Sequence, residues 1–417
     1  MDEHENQKES YSFLQETIKE EKVNRKKLRK YICIVAALGI VFGISTGAGF
    51  VMIKPWISAL IQEEEPPIEI PQDDIAIDMD KTKEEVKEEV KEELKEEIKE
   101  ETDSKDATTI SSYEKIYDEF RAIANQVNTS LVTININGNH DETTYGKTGV
   151  VVADTEQEWL ILCPIEVNDV EEKCDMKLAN GQFVEGKLIG QDYNIGYGVY
   201  ALKKSAQTKG VQVAKLGNSL LVEQGEFVIA LGNQFSFNQG IGYGVVSSVT
   251  NTLQYVDGNY ALIGTTLPMG DHATGVLSNV KGEIVGLINH RLSDGMVLQS
   301  IGISHMKPLI ERLSNGRAIP YLGLKVEQIT AETSQKEGIP IGFYILEVEP
   351  KSPAMKAGIK NGDILMKIND NILQAQNEYQ IELQKYNVED VINIKGKRLG
   401  NDEYVDFTYD IKVGAKK

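Results

Sequence analysis

Twenty-three consecutive uncharged residues, Tyr31 to Ile53 (YICIVAALGIVFGISTGAGFVMI), constrain this chain more than any other feature. At about 1.5 Å of rise per residue, such a helix spans a hydrocarbon core of roughly 30 Å. The run is too long, and lies too far along the chain, for a cleaved leader. Lys22, Arg25, Lys26, Lys27, Arg29 and Lys30 precede it, and only Lys54 follows closely. The positive-inside rule then places residues 1–30 in the cytoplasm and everything after Lys54 outside, in a single-pass protein of the cell membrane. Trp56 suits an interfacial anchor. Gly39, Gly43 and Gly47 would let two such helices approach closely, although ordinary membrane-helix glycine explains the spacing as well.

The charge is localised in what comes next. Of a net −20, residues 62–106 contribute −13, from 20 Asp/Glu against 7 Lys. The remainder is mildly acidic and has no basic stripe beyond the segment before the apolar run, which argues against nucleic acid as a partner. Within the acidic stretch, KEEVKEEVKEELKEEIKEE from Lys83 to Glu101 is rich in helix formers and Glu-to-Lys pairs. Its apolar residues recur every fourth position and so drift around a 3.6-residue helix. A solvated stalk of roughly 30 Å fits that pattern better than a long coiled coil; a short self-associating bundle is the alternative.

From about Tyr113 the pattern changes to short apolar runs such as SLVTINI, GVVVA, WLILC, GEFVIALGN and GEIVGLI, separated by Gly, Asn and Asp. Many short strands at even spacing predict an all-β barrel or sandwich. Cys163 and Cys174 fall in this region and read as two buried thiols, with a bridge between them as the other option. No metal-ligand spacing or phosphate-cradling glycine motif occurs, so no cofactor is expected.

The order and wording of these runs carry more. SLVTINING, TGVVVA, ANGQFVEGKLIGQD, LGNSLLVEQGEFVIALGN, GYGVVSSVT and NVKGEIVGLIN in succession resemble the trypsin-like domain of HtrA-type serine proteases over about two hundred residues. The resemblance implies a double β-barrel. Such a protease needs a Ser nucleophile, a His base and an Asp that fixes the His tautomer. The family's His segment aligns with Ile161 to Val167 and puts Glu166 at the base. Its Asp address falls on Gly196, or on Gly198 in the alternative frame, and its nucleophile on Ala273. Slipping the last alignment by one residue offers His272 or Thr274; Thr274 is the fallback nucleophile, but the base segment supplies only a carboxylate of ordinary pKa about 4.3. His140, His290 and His305 lie outside the family's addresses, and Val276 replaces the Pro that follows its nucleophile loop.

Residues from about Tyr321 to Lys412, including YLGLKVEQIT and GFYILEVEPKSPAMKAGIKNGDILMKIND, resemble the PDZ domain that follows the protease domain in the same family. That resemblance makes Tyr321, Leu322, Gly323 and Leu324 a carboxylate-binding loop, whose backbone N–H groups hold a peptide C-terminus. The facing helix is expected over Asn377 to Tyr386, with Ile381 and Leu383 in the groove or core.

The chain is therefore read as mainly β: a trypsin-like double β-barrel (111–315) followed by a PDZ domain (316–413). One transmembrane helix (31–53) and an acidic linker with a charged helical stalk (54–110) precede them, behind a basic tail (1–30). The leading functional expectation is a pseudoprotease that binds extracytoplasmic polypeptides or protein C-termini, as scaffold or regulator in protein quality control. An active serine endopeptidase and a purely structural envelope protein are the alternatives. The family resemblance also implies a homotrimer, with the helical lead-in Tyr113 to Val127 taking part in its contacts.

Overall fold

Short apolar runs, many of them buried along most or all of their length and separated by turns rich in Gly, Asn and Asp, close here into two barrels. The computed structural model describes residues 67–73, 110–135, 146–166, 172–233, 239–292, 296–373, 378–401 and 403–416. The apolar run Tyr31 to Ile53 and the stalk Lys83 to Glu101 lie outside the described residues. Among those described, no helix is long and apolar enough to cross a membrane.

Helix α1 (Ile110–Asn128) leads in, burying Ala124 and Val127 and stacking Phe120 on Phe227 at 4.4 Å. The first barrel comprises β1 (Leu131–Asn135), β2 (Lys147–Asp154), β3 (Glu158–Pro164), β4 (Lys173–Leu178), β5 (Phe183–Asp192) and β6 (Tyr197–Lys203). They close in the order β1-β2-β3-β6-β5-β4. The second comprises β7 (Phe227–Gly232), β8 (Gly240–Tyr255), β9 (Gly258–Pro268), β10 (Thr274–Ser278), β11 (Ile284–Asn289) and β12 (Val297–Gly302), closed as β10-β11-β12-β9-β8-β7. The expected double barrel is thus present. Cys163 and Cys174 are both buried free thiols, and burial pushes the Cys163 thiol well up from its ordinary value.

Helix α2 (Ile303–Ser314) follows β12 and joins the barrels to everything after them. Ile303, Met306, Leu309, Ile310 and Leu313 enter the core, while His305, Lys307 and Arg312 are also buried. A helix covered all round must satisfy its polar groups internally. Lys307 does so with Asp73, at 2.7 Å. Asp73 belongs to residues 67–73, which the sequence placed inside the linker. Instead this segment is docked: the Ile68 N–H donates to Asn315 Oδ1 and the Ile70 N–H to Glu311 Oε2, with the Ile70 side chain 5% exposed. Two isoleucines flanked by prolines supply an extended, apolar strap that a helix surface can bury.

Beyond α2 lie β13 (Pro320–Tyr321), β14 (Leu324–Ile329), α3 (Ala331–Glu337), β15 (Gly342–Val348), α4 (Pro353–Ala357), β16 (Ile364–Ile368), β17 (Asn371–Ile372), α5 (Glu378–Gln384), β18 (Val391–Leu399), β19 (Tyr404–Lys412) and β20 (Gly414–Ala415). The sheet order β14-β15-β16-β18-β19 leaves β14 at an edge. Arg398 grips the buried Asp363 with two nitrogens, at 2.6 and 2.7 Å. Arg312 of α2 donates to the carbonyls of Gln384 and Tyr386, satisfying the end of α5, and to Ala318 in the connection.

Burial brings the His305 imidazole down to about 4 from an ordinary 6.5. Its folded-state pKa is depressed, so the neutral ring costs nothing above about 6.5, and stability is lost as pH falls from there towards about 4. Denaturant titrations at pH 7 and pH 4.5 should show His305→Gln losing markedly less stability between the two than the parent.

Candidate peptide-binding site and inter-barrel cleft

The positions that the resemblance assigns to base, orienting group and nucleophile, Glu166, Gly196 and Ala273, come together where the barrels meet. Glu166 follows β3, and the Ile165 N–H donates to the Gly196 carbonyl at 2.9 Å, in the turn before β6. Across the cleft, the His290 N–H donates to the Ala273 carbonyl at 2.8 Å. Arg291 bridges the two sides, donating from Nη1 to the Ile165 carbonyl. The sequence-derived positions are therefore neighbours in space.

Their chemistry differs from that of a triad. Glu166 pairs with Lys147 Nζ at 3.1 Å. Burial raises the Glu166 carboxyl, but the Lys147 hydrogen bond and charge, with His290 and Arg291, outweigh it and hold the group below its ordinary value. A carboxylate made more acidic is a worse proton acceptor. Gly196 has φ +74°, and a side chain there would begin 2.8 Å from Arg291 Nη1. The guanidinium thus occupies the space an aspartate would need. Ala273 is fully buried against Val222, Leu277 and Leu298 in the second barrel's core. Thr274, 1% exposed, spends its hydroxyl accepting the Thr148 N–H at 2.9 Å. His272 and His290 meet edge to face at 5.8 Å, and burial lowers the His290 imidazole against the pull of Glu166.

The loop before β14 has the backbone geometry of an anion nest. Gly323 adopts φ +82°, which turns successive N–H groups to one side. Three of them point at a single carboxylate: Leu322 and Gly323 donate to Asp257 Oδ2, each at 2.8 Å, and Leu324 donates to Oδ1 at 3.1 Å. Tyr379 of α5 adds its hydroxyl to Oδ1 at 2.5 Å. Burial pushes the Asp257 carboxyl up, while the Tyr379 and nest donors and the Lys416 charge pull the other way. Tyr321 stands beside the nest with its hydroxyl on Glu349, at 2.5 Å.

Asp257 sits in the two-residue turn between β8 and β9, in left-handed conformation at φ +57°. Nothing in the sequence singles it out, because Val-Asp-Gly between two strands reads as a hairpin turn. Its neighbours extend the contact. The Asp257 N–H donates to the Leu324 carbonyl, Asn259 Nδ2 to the Val326 carbonyl, and the Asn259 N–H to Gln380 Oε1. Gln380 in turn donates to the His305 carbonyl. The α5 residues facing this contact and the domain core are Tyr379, Gln380 and Leu383. Ile381, expected in the groove or core, turns to another side. It lines a cavity of about 620 Å³ with Asp73, Pro308, Glu311 and Leu373. Helical phase explains the difference, since consecutive residues turn by about 100°.

Comparison with known proteins agrees with this architecture. Residues 320–408 match the PDZ domain family. The serine protease Do-like HtrB of Bacillus subtilis (strain 168) is 26% identical over 284 residues, 62% of this chain and 61% of its own length. A probable periplasmic serine endoprotease, DegP-like, of Pseudomonas fluorescens is 27% identical over 205 residues, 46% of this chain and 42% of its own. The chain thus spans less than two-thirds of the length of the curated relatives it matches. The solved structure of HtrA-type protease AlgW with tripeptide superposes with a TM-score of 0.51 at 18% identity, covering 71% of this chain and 98% of that one, a likeness of fold.

The nest depends on Gly323. A methyl group there meets the Ser352 side chain, whereas one on Gly338, also at positive φ, meets nothing within 4 Å. Gly338→Ala should cost about 1 kcal/mol from left-handed strain alone. Gly323→Ala should cost about 3 kcal/mol, the overpacking being added. Parallel urea unfolding curves of the two variants check the difference.

Proposed function

We propose that this chain, built on the plan of HtrA/DegP-type serine proteases with a PDZ domain, is a membrane-anchored pseudoprotease of that type. On this reading it holds extracytoplasmic polypeptides through the PDZ domain, as a scaffold or regulator in protein quality control. The observation that carries it is the set of residues at the three converging addresses, Glu166, Gly196 and Ala273. Attack on an amide needs a nucleophile whose proton a positioned base accepts. Here the base address holds a carboxylate paired with Lys147, the orienting address has no side chain and is crowded by Arg291, and the nucleophile address ends in a methyl group. Losing one member of such a unit already removes most of the rate, so three replacements leave little for the rest to act on.

Peptide binding is supported by the nest itself, whose donors converge on a carboxylate, and by β14 at the sheet edge beside α5. The AlgW structure was solved with a tripeptide, consistent with peptides as the ligand class for this fold. The apolar run Tyr31 to Ile53 supplies the membrane anchor, with the basic flank in the cytoplasm and the folded domains outside.

The purified full chain should release no fragments from unfolded casein and should take up no fluorophosphonate probe. Ala273→Ser should remain unlabelled as well, because a hydroxyl alone lacks its base. Turnover that disappears in Thr274→Ala would instead establish an active endopeptidase.

A further inference from the structure

The arrangement around Asp257 resembles a ligand complex more than a domain contact. A PDZ-type nest offers backbone N–H groups to the terminal carboxylate of a peptide, and its edge strand offers further backbone partners to the residues before it. In this chain the carboxylate is a side chain from the other domain. Both Asp257 oxygens are used, by three nest N–H groups and the Tyr379 hydroxyl. The edge of β14 is used as well, through the Leu324 and Val326 carbonyls. The side of α5 that faces the hairpin is engaged by Asn259 through Gln380. Asp257 and Asn259 are each 4% exposed, and Leu322, Leu324 and Tyr379 are closed to solvent.

The hairpin is also held from behind. Lys416 donates to the Val256 carbonyl at 3.2 Å and lies 3.6 Å from the buried Asp192 of the first barrel. The hairpin's contacts come from Val256, Asp257 and Asn259 at its tip. Aspartate tolerates the left-handed turn position that Asp257 holds, and the turn delivers its carboxylate to the nest.

We infer that the β8–β9 hairpin is a tethered ligand of the PDZ nest, with Asp257 in the place of a terminal carboxylate, and that a polypeptide C-terminus binds by displacing it. This rests on the proposed peptide-binding function and adds the means of its regulation. The nest is self-occupied in the closed state. Apparent affinity for an outside peptide is the intrinsic affinity reduced by the fraction of molecules in which the hairpin has left. Binding therefore releases the contact between the PDZ domain and the second barrel, so occupancy is converted into a change of domain attachment.

The test uses the full chain, fluorescein-labelled decapeptides with randomised last three positions and free carboxyl ends, and the same pool amidated at the C-terminus. Asp257→Gly keeps the turn conformation and removes the carboxylate; Asp257→Asn keeps the size and removes the charge, and guards against a folding defect in the first. Both should bind the carboxylate pool at least about tenfold more tightly than the parent, with no gain for the amidated pool. Hydrogen exchange supplies the second readout. Peptide added to the parent should keep the 322–324 amides protected while those of 255–260 become exposed.

Equal affinity in parent and variants, with 255–260 staying protected when peptide binds, overturns the tethered-ligand inference and leaves peptide binding standing. Absence of binding in parent and both variants, although 322–324 exchange freely in the variants, overturns the peptide-binding function and the inference with it.

Discussion

A carboxylate taken out of water is tolerable only where donors replace its hydration, and around Asp257 every donor comes from the PDZ domain. That requirement fixes much else. The hairpin must reach the nest, so β8 and β9 pair down to Tyr255 and Gly258 at its tip. Helix α5 must face the hairpin, which Arg312 helps secure by holding its last carbonyls from α2. The strap 67–73 covers α2 from outside and pairs the buried Lys307, whose ammonium would otherwise be costly to enclose. Barrel, connecting helix and PDZ domain are therefore linked by buried polar contacts.

The cleft between the barrels follows a different logic. Its architecture is intact: β3, the turn before β6 and the start of β10 still bring Glu166, Gly196 and Ala273 together. The groups that fill the space make structural contacts. Arg291 spans to the Ile165 carbonyl, Thr274 is tied to a backbone amide, and Ala273 completes a core. Each of these contacts ties a group at the cleft to the surrounding fold, and function has to be argued from such groups rather than from the fold alone.

Much of this was legible in the sequence because it depends on local rules. Short apolar runs separated by Gly and Asn turns predict a barrel or sandwich, and Gly323 in Tyr321-Leu322-Gly323-Leu324 marks a place where positive φ costs little. The rest depends on distant partners. Asp257 lies 65 residues before Leu322, and its turn sequence is ordinary until the donors around it are seen. The strap reads as linker because two isoleucines among prolines and acids are too few for a periodicity, yet Ile70 is buried. Ile381 shows the narrower failure: the helix was placed correctly to within two residues, but one position's phase decided which side it serves.

On the pseudoprotease reading proposed above, the barrels need a role other than cutting, and the hairpin offers a physical one. A free peptide pays the full loss of translational freedom when it enters a groove, whereas a hairpin fixed on a closed barrel has lost most of that freedom already. Even a modest set of contacts then keeps the nest occupied. The stiffness of β8 and β9, paired within a six-stranded closed barrel, turns one aspartate into an effective competitor. On the inference drawn here, the second barrel sets how strong an outside C-terminus must be before the PDZ domain lets go of it.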